Sequence, residues 1–148
     1  MPVGVCIVII IIDQIVKFYI QSAMGLGMSI PVIPHVFHIT YILNAGAAFG
    51  ILENQQWFFI LVGILVLGAA AWFYSCLQRE NAYIRYGVSL LLGGAAGNLI
   101  DRIFRGSVID FFDFRIWPVF NIADIAIVVG VGCIIYSILF KMKEKSAS

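Results

Sequence analysis

Charged residues are scarce in this sequence. Of its 148 residues, 11% are charged and 62% are hydrophobic, whereas a soluble domain carries about 25% charged residues. A soluble core cannot hold this much apolar surface, so the composition argues against a soluble globular protein. No basic cluster with interleaved aromatic residues occurs either, so we expect no nucleic-acid partner.

A metal-ligand pattern is also missing. The three cysteines, Cys6, Cys76 and Cys133, lie inside apolar runs without the spacing of a ligand set, and we interpret them as small buried hydrophobic residues. The two histidines, His35 and His38, lie in a connecting segment and are expected at the surface. The sequence therefore predicts neither a metal nor a cofactor.

The apolar residues are concentrated in four long segments. A hydrocarbon core about 30 Å thick needs roughly 20 helical residues to cross it. We therefore predict an all-α membrane protein with four transmembrane helices, forming one integral membrane domain over residues 1–148. The predicted helices cover about 3–20, 57–77, 86–102 and 120–140. Because Asp13 and Lys17 interrupt the end of the first segment and no cleavage site follows, we interpret it as a retained helix and not as a signal peptide.

Four crossings place the connections 21–56 and 101–119 on one side of the membrane, opposite 78–85 and both termini. The side with the termini carries more Lys and Arg, which predicts cytoplasmic termini and an outer face on the other side. These residues are Arg79, Arg85, Lys141, Lys143 and Lys145, against Arg102, Arg105 and Arg115. In the connection 21–56, the alternation in HVFHITYIL predicts one or two strands. We expect a small extracytoplasmic β-rich appendage between helices 1 and 2.

Polar residues inside the apolar segments collect at the predicted outer face. Each ionisable group there costs several kcal/mol unless it is paired or hydrated, so such residues are candidates for function. The set comprises Asp13, Lys17, Asn98, Asp101, Arg102, Asn121 and Asp124, with Asn44 in the neighbouring loop. Parity and spacing alone predict that they converge at one membrane face.

Several of these residues also have purely structural interpretations. Asp13 and Lys17 are four apart, so they either form an ion pair that ties helix 1 into the bundle or contact substrate. Asp101 lies near a helix C-terminus, which is unfavourable for an acid, so it should have a cationic partner. The available cations are Lys17, Arg102 and Arg105.

Asn121 and Asp124 are three apart at a predicted helix start. Asn121 could be an N-cap and Asp124 a carboxylate favoured by the helix dipole. Alternatively, Asp124 faces a second acid, Asp110 or its neighbour Asp113, in the segment that returns the chain from helix 3 to helix 4. Two carboxyl groups held close together cannot both ionise readily, so one keeps a proton while the other activates water. Such a pair can hydrolyse an amide without a covalent intermediate.

Two other functions stay open at this point. A small transporter or proton-coupled channel would use the same acids and cations as an ion path. A purely structural four-helix subunit would tolerate replacement of Asp110 and Asp124 by Asn.

Five motifs occur in an order that resembles a known family. They are DQIVK at 13–17, NAGAAFG at 44–50, GGAAGNLIDR at 93–102, GSVIDFFDF at 106–114 and FNIAD at 120–124. The chain resembles bacterial lipoprotein signal peptidase, also called signal peptidase II, an aspartic peptidase of the cytoplasmic membrane. The resemblance covers nearly the whole chain.

The resemblance implies removal of the signal peptide from a diacylglyceryl-modified prolipoprotein, by cleavage before the lipidated cysteine. It maps the catalytic acids onto Asp110 and Asp124, while Asp113 falls off the matched position. Asp101 is the rival for the second acid, but the adjacent Arg102 favours a supporting role. The implied supporting residues are Asn44, Asn98, Arg102, Asn121, Asp13, Lys17, Asp101 and Gly46, and Gly46 and Gly50 would let the loop backbone approach the substrate closely. We expect a monomer in the bacterial inner membrane whose partners are the prolipoprotein and membrane lipids.

Overall fold

The computed structural model describes residues 1–46 and 55–147, with side chains as far as residue 139. Gly50 and the rest of its motif after Gly46, together with the side chains of Lys141, Lys143 and Lys145, lie outside the described residues. The described elements are α1 (Val3–Ala23), β1 (Ser29–Ile33), β2 (Phe37–Asn44), α2 (Gln56–Trp72), α3 (Tyr74–Gln78), α4 (Ala82–Arg105), β3 (Val108–Asp113) and α5 (Ile122–Ala147).

Among the described residues, two helices are long and apolar enough to cross a membrane. They are Val3–Ala23, with a mean hydropathy of 2.3, and the Ile122–Leu139 part of α5, with a mean hydropathy of 2.4. The Gln56–Trp72 helix is apolar but shorter. Many large apolar side chains on these helices point outward, among them Ile15, Phe18 and Val128. This surface suits lipid and not water.

The helix boundaries differ from the predicted ones in the middle of the chain. The predicted helix 57–77 is interrupted, because α2 ends at Trp72 and the five-residue α3 follows. The helix expected at 86–102 is longer, with 24 residues, because Asn81 caps its start by accepting a hydrogen bond from the Ile84 N–H and Gly106 ends it in the left-handed conformation.

Helix α4 lies at the centre of the bundle and packs against α1, α2 and α5. Glycines allow the closest approaches: a Cβ on Gly93 would meet the Cys6 carbonyl at 3.0 Å, and one on Gly130 would meet the Gly87 carbonyl at 2.5 Å. A Cβ on Gly94 would overlap the Ala123 carbonyl. The run GGAAG at 93–97 therefore serves close helix packing.

The sheet has three antiparallel strands in the order β1-β2-β3. The strands predicted between helices 1 and 2 are present as β1 and β2, and a third strand that was not predicted, β3, comes from the connection between α4 and α5. Its partner β2 is more than 60 residues away in the sequence, so no local pattern could reveal the pairing. Ile20 and Met24 at the end of α1 pack with Tyr41, Ile109 and Phe111, and this cluster holds the sheet against the helices.

The cysteines and histidines are less uniform than predicted. Cys76 is exposed, because none of the residues of the short α3 is buried, and Cys6 and Cys133 are half-buried. His35 is exposed, as expected, but His38 is half-buried and lies 3.1 Å from the Ser29 hydroxyl.

Gly130 and Gly132 on α5 provide a matched test of helix packing. We expect Gly130→Ala to lower the free energy of unfolding by about 1–3 kcal/mol, because the new methyl group meets the backbone of α4. Gly132 has open space around its Cα, so Gly132→Ala should be neutral or more stable by up to about 1 kcal/mol. Thermal midpoints in detergent measure both. Equal midpoints would show that the two helices do not need this approach.

Candidate active site

A buried ammonium group lies between α1 and α4. Lys17 is 0% exposed, and its Nζ lies 2.9 Å from Asp13 Oδ2 and 2.8 Å from Asp101 Oδ2. It also donates a hydrogen bond of 2.9 Å to Asn98 Oδ1. Three acceptors match the three donors of a lysine, so the group is fully satisfied. The predicted ion pair between Asp13 and Lys17 is present, and it extends to the neighbouring helix.

Asp101 is the second carboxylate of this cluster. Besides Lys17, it pairs with Arg105 one turn further along α4, and it accepts a hydrogen bond of 3.2 Å from the Ile109 N–H. Arg102 points elsewhere, since its Nη2 donates to the Gly46 carbonyl at 3.3 Å and its guanidinium lies 4.8 Å from the centroid of the Phe59 ring. The cationic partners of Asp101 are therefore Lys17 and Arg105, two of the three candidates.

Sequence reasoning missed Gln14 in this cluster. Its amide nitrogen donates to Asp101 Oδ1 at 3.1 Å, and its oxygen accepts from Arg105 at 3.2 Å. The only signal was its position inside DQIVK, next to Asp13. Because an uncharged amide in an apolar helix gives no electrostatic pattern, only the neighbouring helix reveals its partners.

Asp110 projects from β3 and is 1% exposed. Its Oδ2 accepts a hydrogen bond of 2.9 Å from Asn44 Nδ2, and its Oδ1 accepts one of 2.7 Å from Asn121 Nδ2. Asn44 reaches it because β2 pairs with β3 in a register that sets Asn44 opposite Val108. All of these partners are neutral amides.

Asp124 lies in the first turn of α5 and forms a capping box with Asn121. The Asp124 N–H donates to Asn121 Oδ1 at 3.0 Å, and the Asn121 N–H donates to Asp124 Oδ2 at 3.1 Å. The capping role suggested by the spacing is therefore present. The other carboxylate oxygen, Oδ1, accepts a hydrogen bond of 2.8 Å from Asn98 Nδ2. Asp124 therefore caps α5 with one oxygen and binds α4 with the other.

The two asparagines join the acids into one network. Asn121 Nδ2 donates to Asn98 Oδ1 at 3.0 Å, and the same nitrogen lies 3.2 Å from the Ile109 carbonyl. The network thus runs from Asp110 through Asn121 and Asn98 to Asp124.

Both acids open into one cavity of about 550 Å³. Asn44, Gly46, Asn98 and Arg102 line its polar end with Asp110 and Asp124. The rest of its wall is largely apolar and comes from α2, α4 and α5; it includes Phe59, Val62, Val66, Leu91, Ala95 and Ile127. Asp13, Lys17, Asp101 and Asn121 are not among the lining residues. They form the layer of charges and amides behind the cavity.

The pKa values of Asp110 and Asp113, the two acids of β3, are shifted in opposite directions. Burial raises the pKa of Asp110 to about 7, and the nearby charge of Asp124 acts in the same direction, against the hydrogen bonds from Asn44 and Asn121. For Asp113, burial alone would raise the pKa, but the hydrogen bonds from Thr40 and Arg115 outweigh it and hold the pKa below its ordinary value. Since residues three apart on a strand point to opposite faces, Asp113 cannot share the cavity with Asp110.

The comparisons with known proteins agree over nearly the full chain. The family model of signal peptidase II matches residues 5–140. The chain belongs to the signal peptidase II family. Two curated relatives named lipoprotein signal peptidase illustrate the similarity. The one from Desulfitobacterium hafniense (strain DSM 10664 / DCB-2) is 45% identical over 135 residues, which is 90% of this chain and 89% of the relative. The one from Clostridioides difficile (strain 630) is 44% identical over 146 residues, which is 95% of this chain and 97% of the relative.

Solved structures show the same fold. Two bacterial membrane enzymes match with TM-scores of 0.89 and 0.82, at 39% and 40% identity, and they cover 95% and 91% of this chain and 88% and 90% of their own. The chain is therefore a membrane peptidase, which decides against the transporter and the structural subunit. In residues 1–46 and 55–147, no group of three His, Cys, Asp or Glu side chains could hold a metal ion.

The buried charge cluster predicts a large stability effect. We expect Lys17→Met to lower the free energy of unfolding by about 3–5 kcal/mol, because Asp13 would lose its cationic partner and Asp101 would keep only Arg105.

Arg115 provides the control. It pairs with Asp113 at 2.9 Å, but its side chain is 50% exposed, so Arg115→Met should cost about 1 kcal/mol or less. Thermal unfolding in detergent compares the two variants. A loss of similar size in both would mean that burial does not set the strength of these ion pairs.

Proposed function

We propose that this peptidase removes signal peptides from diacylglyceryl-modified prolipoproteins, cleaving before the lipidated cysteine, and that Asp110 and Asp124 activate the attacking water. The observation that carries this proposal is that both acids line one cavity and are held by neutral amides. Family membership supports the substrate class. A carboxyl pair of this kind needs no nucleophilic side chain.

In the proposed reaction, Asp124 is the general base and Asp110 the general acid. Because its pKa is raised to about 7, Asp110 keeps a substantial protonated fraction at neutral pH. Asp124 takes a proton from water, whose oxygen attacks the carbonyl carbon, while Asp110 protonates the carbonyl oxygen. When the tetrahedral intermediate collapses, the C–N bond breaks and a proton passes from Asp124 to the leaving amine. A hydroxyl group of the intermediate returns a proton to Asp110 as the carboxyl product forms, so both acids regain their starting states. The first turn of α5 favours a negative charge on Asp124 before that attack.

The supporting residues have separate tasks in this proposal. Asn44 and Asn121 hold the Asp110 carboxyl group, and Asn98 holds Asp124. Arg102 balances the negative charge of the acids from the cavity wall and holds the loop through the Gly46 carbonyl. Asp13, Lys17 and Asp101 secure the helices behind the acids.

We further propose that α1, α2, α4 and α5 cross the bacterial cytoplasmic membrane, with cytoplasmic termini and the sheet at the outer face. The apolar part of the cavity lies between α2, α4 and α5, so the acyl chains of the substrate can stay in a bilayer-like environment. In this proposal, the peptidase acts as a monomer.

Replacement of each acid tests the reaction. Asp110→Asn and Asp124→Asn should each reduce turnover of a diacylated prolipoprotein peptide by at least about 10³-fold, because neither amide can exchange the required proton. Asp113→Asn is the control, since this acid is on the same strand but bonds to Thr40 and Arg115, and it should keep turnover within about threefold of wild type.

Each variant is assayed as purified protein that migrates as one species in detergent, so that a loss of turnover reports the reaction and not misfolding. Wild-type turnover by either Asp110→Asn or Asp124→Asn would refute the assignment. A loss in Asp113→Asn equal to theirs would show that the assay reports folding and not the acid pair.

The pH profile tests which acid carries the proton. If Asp110 is the general acid, its active form exists below its pKa of about 7, so kcat/KM should decrease as the pH rises through that value. The decrease should approach tenfold per pH unit at higher pH. A kcat/KM that increases through pH 7 would assign the acid role elsewhere. The thermal midpoint, measured at each pH, separates this effect from unfolding.

A further inference from the structure

The side-chain amides of Asn98 and Asn121 each have a defined orientation in the site. A carboxamide has one accepting end and one donating end, so a flip of the group exchanges attraction for repulsion toward a carboxylate. Asn98 has its oxygen toward Lys17 at 2.9 Å and its nitrogen toward Asp124 Oδ1 at 2.8 Å. The productive orientation of Asn98 is the one with its nitrogen on Asp124.

Lys17 is the group that can select this orientation. An ammonium only donates hydrogen bonds, so the Asn98 nitrogen cannot face it. Lys17 and Asn98 are 0% and 6% exposed, which makes an unsatisfied donor in either of them costly. Asp13 and Asp101 hold the ammonium in place from its other sides.

The orientation of the Asn98 amide also affects that of the Asn121 amide. Asn98 Oδ1 also accepts from Asn121 Nδ2 at 3.0 Å, which turns the Asn121 nitrogen toward Asp110 Oδ1 at 2.7 Å. The Asn121 oxygen then accepts from the Asp124 N–H. In this orientation, Asn98 Nδ2 donates to Asp124, and Asn121 Nδ2 donates to Asp110 as well as to Asn98 Oδ1.

We propose that Lys17 is a positioning residue that sets the direction of the Asn98 and Asn121 amides, so that Asp124 and Asp110 each receive an N–H donor. It does so from behind the cavity, since the partners of its ammonium are Asp13, Asp101 and Asn98. This inference rests on the proposed function, because the acids it orients are the proposed catalytic ones. Without Lys17, Asn98 can turn its oxygen toward the Asp124 carboxylate and misplace it.

The test separates the donor from the charge. Lys17→Met alone would leave two buried acids with one cation, so Asp13→Asn is the reference background, and Asp101 retains Arg105. In that background, Lys17→Met and Lys17→Gln remove the same charge, but only the glutamine amide offers a donor to Asn98. The assay is cleavage of a diacylated prolipoprotein peptide, with kcat, KM and the thermal midpoint measured for each protein.

We expect D13N/K17M to lose about 10²-fold in kcat relative to D13N, because misplacement of a reacting group has effects of this size. KM should change less than about threefold, since the cavity wall is untouched. D13N/K17Q should recover at least about tenfold of that kcat. A purely structural role would instead move the thermal midpoint and leave kcat of the folded fraction equal in both double variants, and that result would overturn the proposal.

Asn98→Asp gives a second test in the otherwise unchanged chain. It keeps an acceptor for Lys17 and Asn121 but presents an oxygen to Asp124, so kcat should decrease by about 10²-fold or more. Wild-type kcat in this variant would also overturn the proposal. Asp110→Asn is assayed alongside: if it turns over like wild type, the proposed function itself is wrong, whereas an inactive Asp110→Asn with equal double variants refutes only the role of Lys17.

Discussion

The buried ammonium of Lys17 is the interaction on which the rest of the site depends. Without it, Asp13 would lose its cationic partner and Asp101 would keep only Arg105. Removing one partner of a buried ion pair is far more costly than removing the whole pair. The cluster therefore holds α1 against α4 in one arrangement, and this arrangement carries Asn98 to the acids.

Small residues make that arrangement sterically possible. A Cβ on Gly97 would lie 2.7 Å from Asp13 Oδ2, so a side chain there would push the carboxylate away from Lys17. Gly94 likewise lets α4 approach the Ala123 carbonyl at the start of α5. The Ala123 N–H donates to Asp13 Oδ1 at 3.0 Å, so the same acid also secures the first turn of α5. The packing of these helices therefore also sets the position of Asp124.

The four acids of the site fall into two chemical classes. Asp13 and Asp101 are paired with cations and hold the helices together. Asp110 and Asp124 are held by amide and backbone N–H groups and open into the cavity. A neutral partner leaves a carboxyl group free to gain and lose a proton, which supports the proposed division between structural and catalytic acids. Asp113, on the opposite face of β3, is also buried and paired with a cation, Arg115, but it does not line the cavity.

Local patterns in the sequence determined the apolar helices α1 and α5, the pairing of Asp13 with Lys17 four residues later, and the capping relation of Asn121 with Asp124. Each of these depends on residues within one or two turns, where spacing fixes which side chains share a face. The strand β3 and the role of Gln14 came only from the tertiary structure, because their partners are distant in the sequence. The break between α2 and α3 was likewise seen only in the structure. The resemblance to the family motif favoured Asp110 over Asp113. The physical reason comes from the strand, because the two side chains lie on opposite faces of β3. Only the register of β2 and β3 determines which face of the strand turns toward Asn121 and α5.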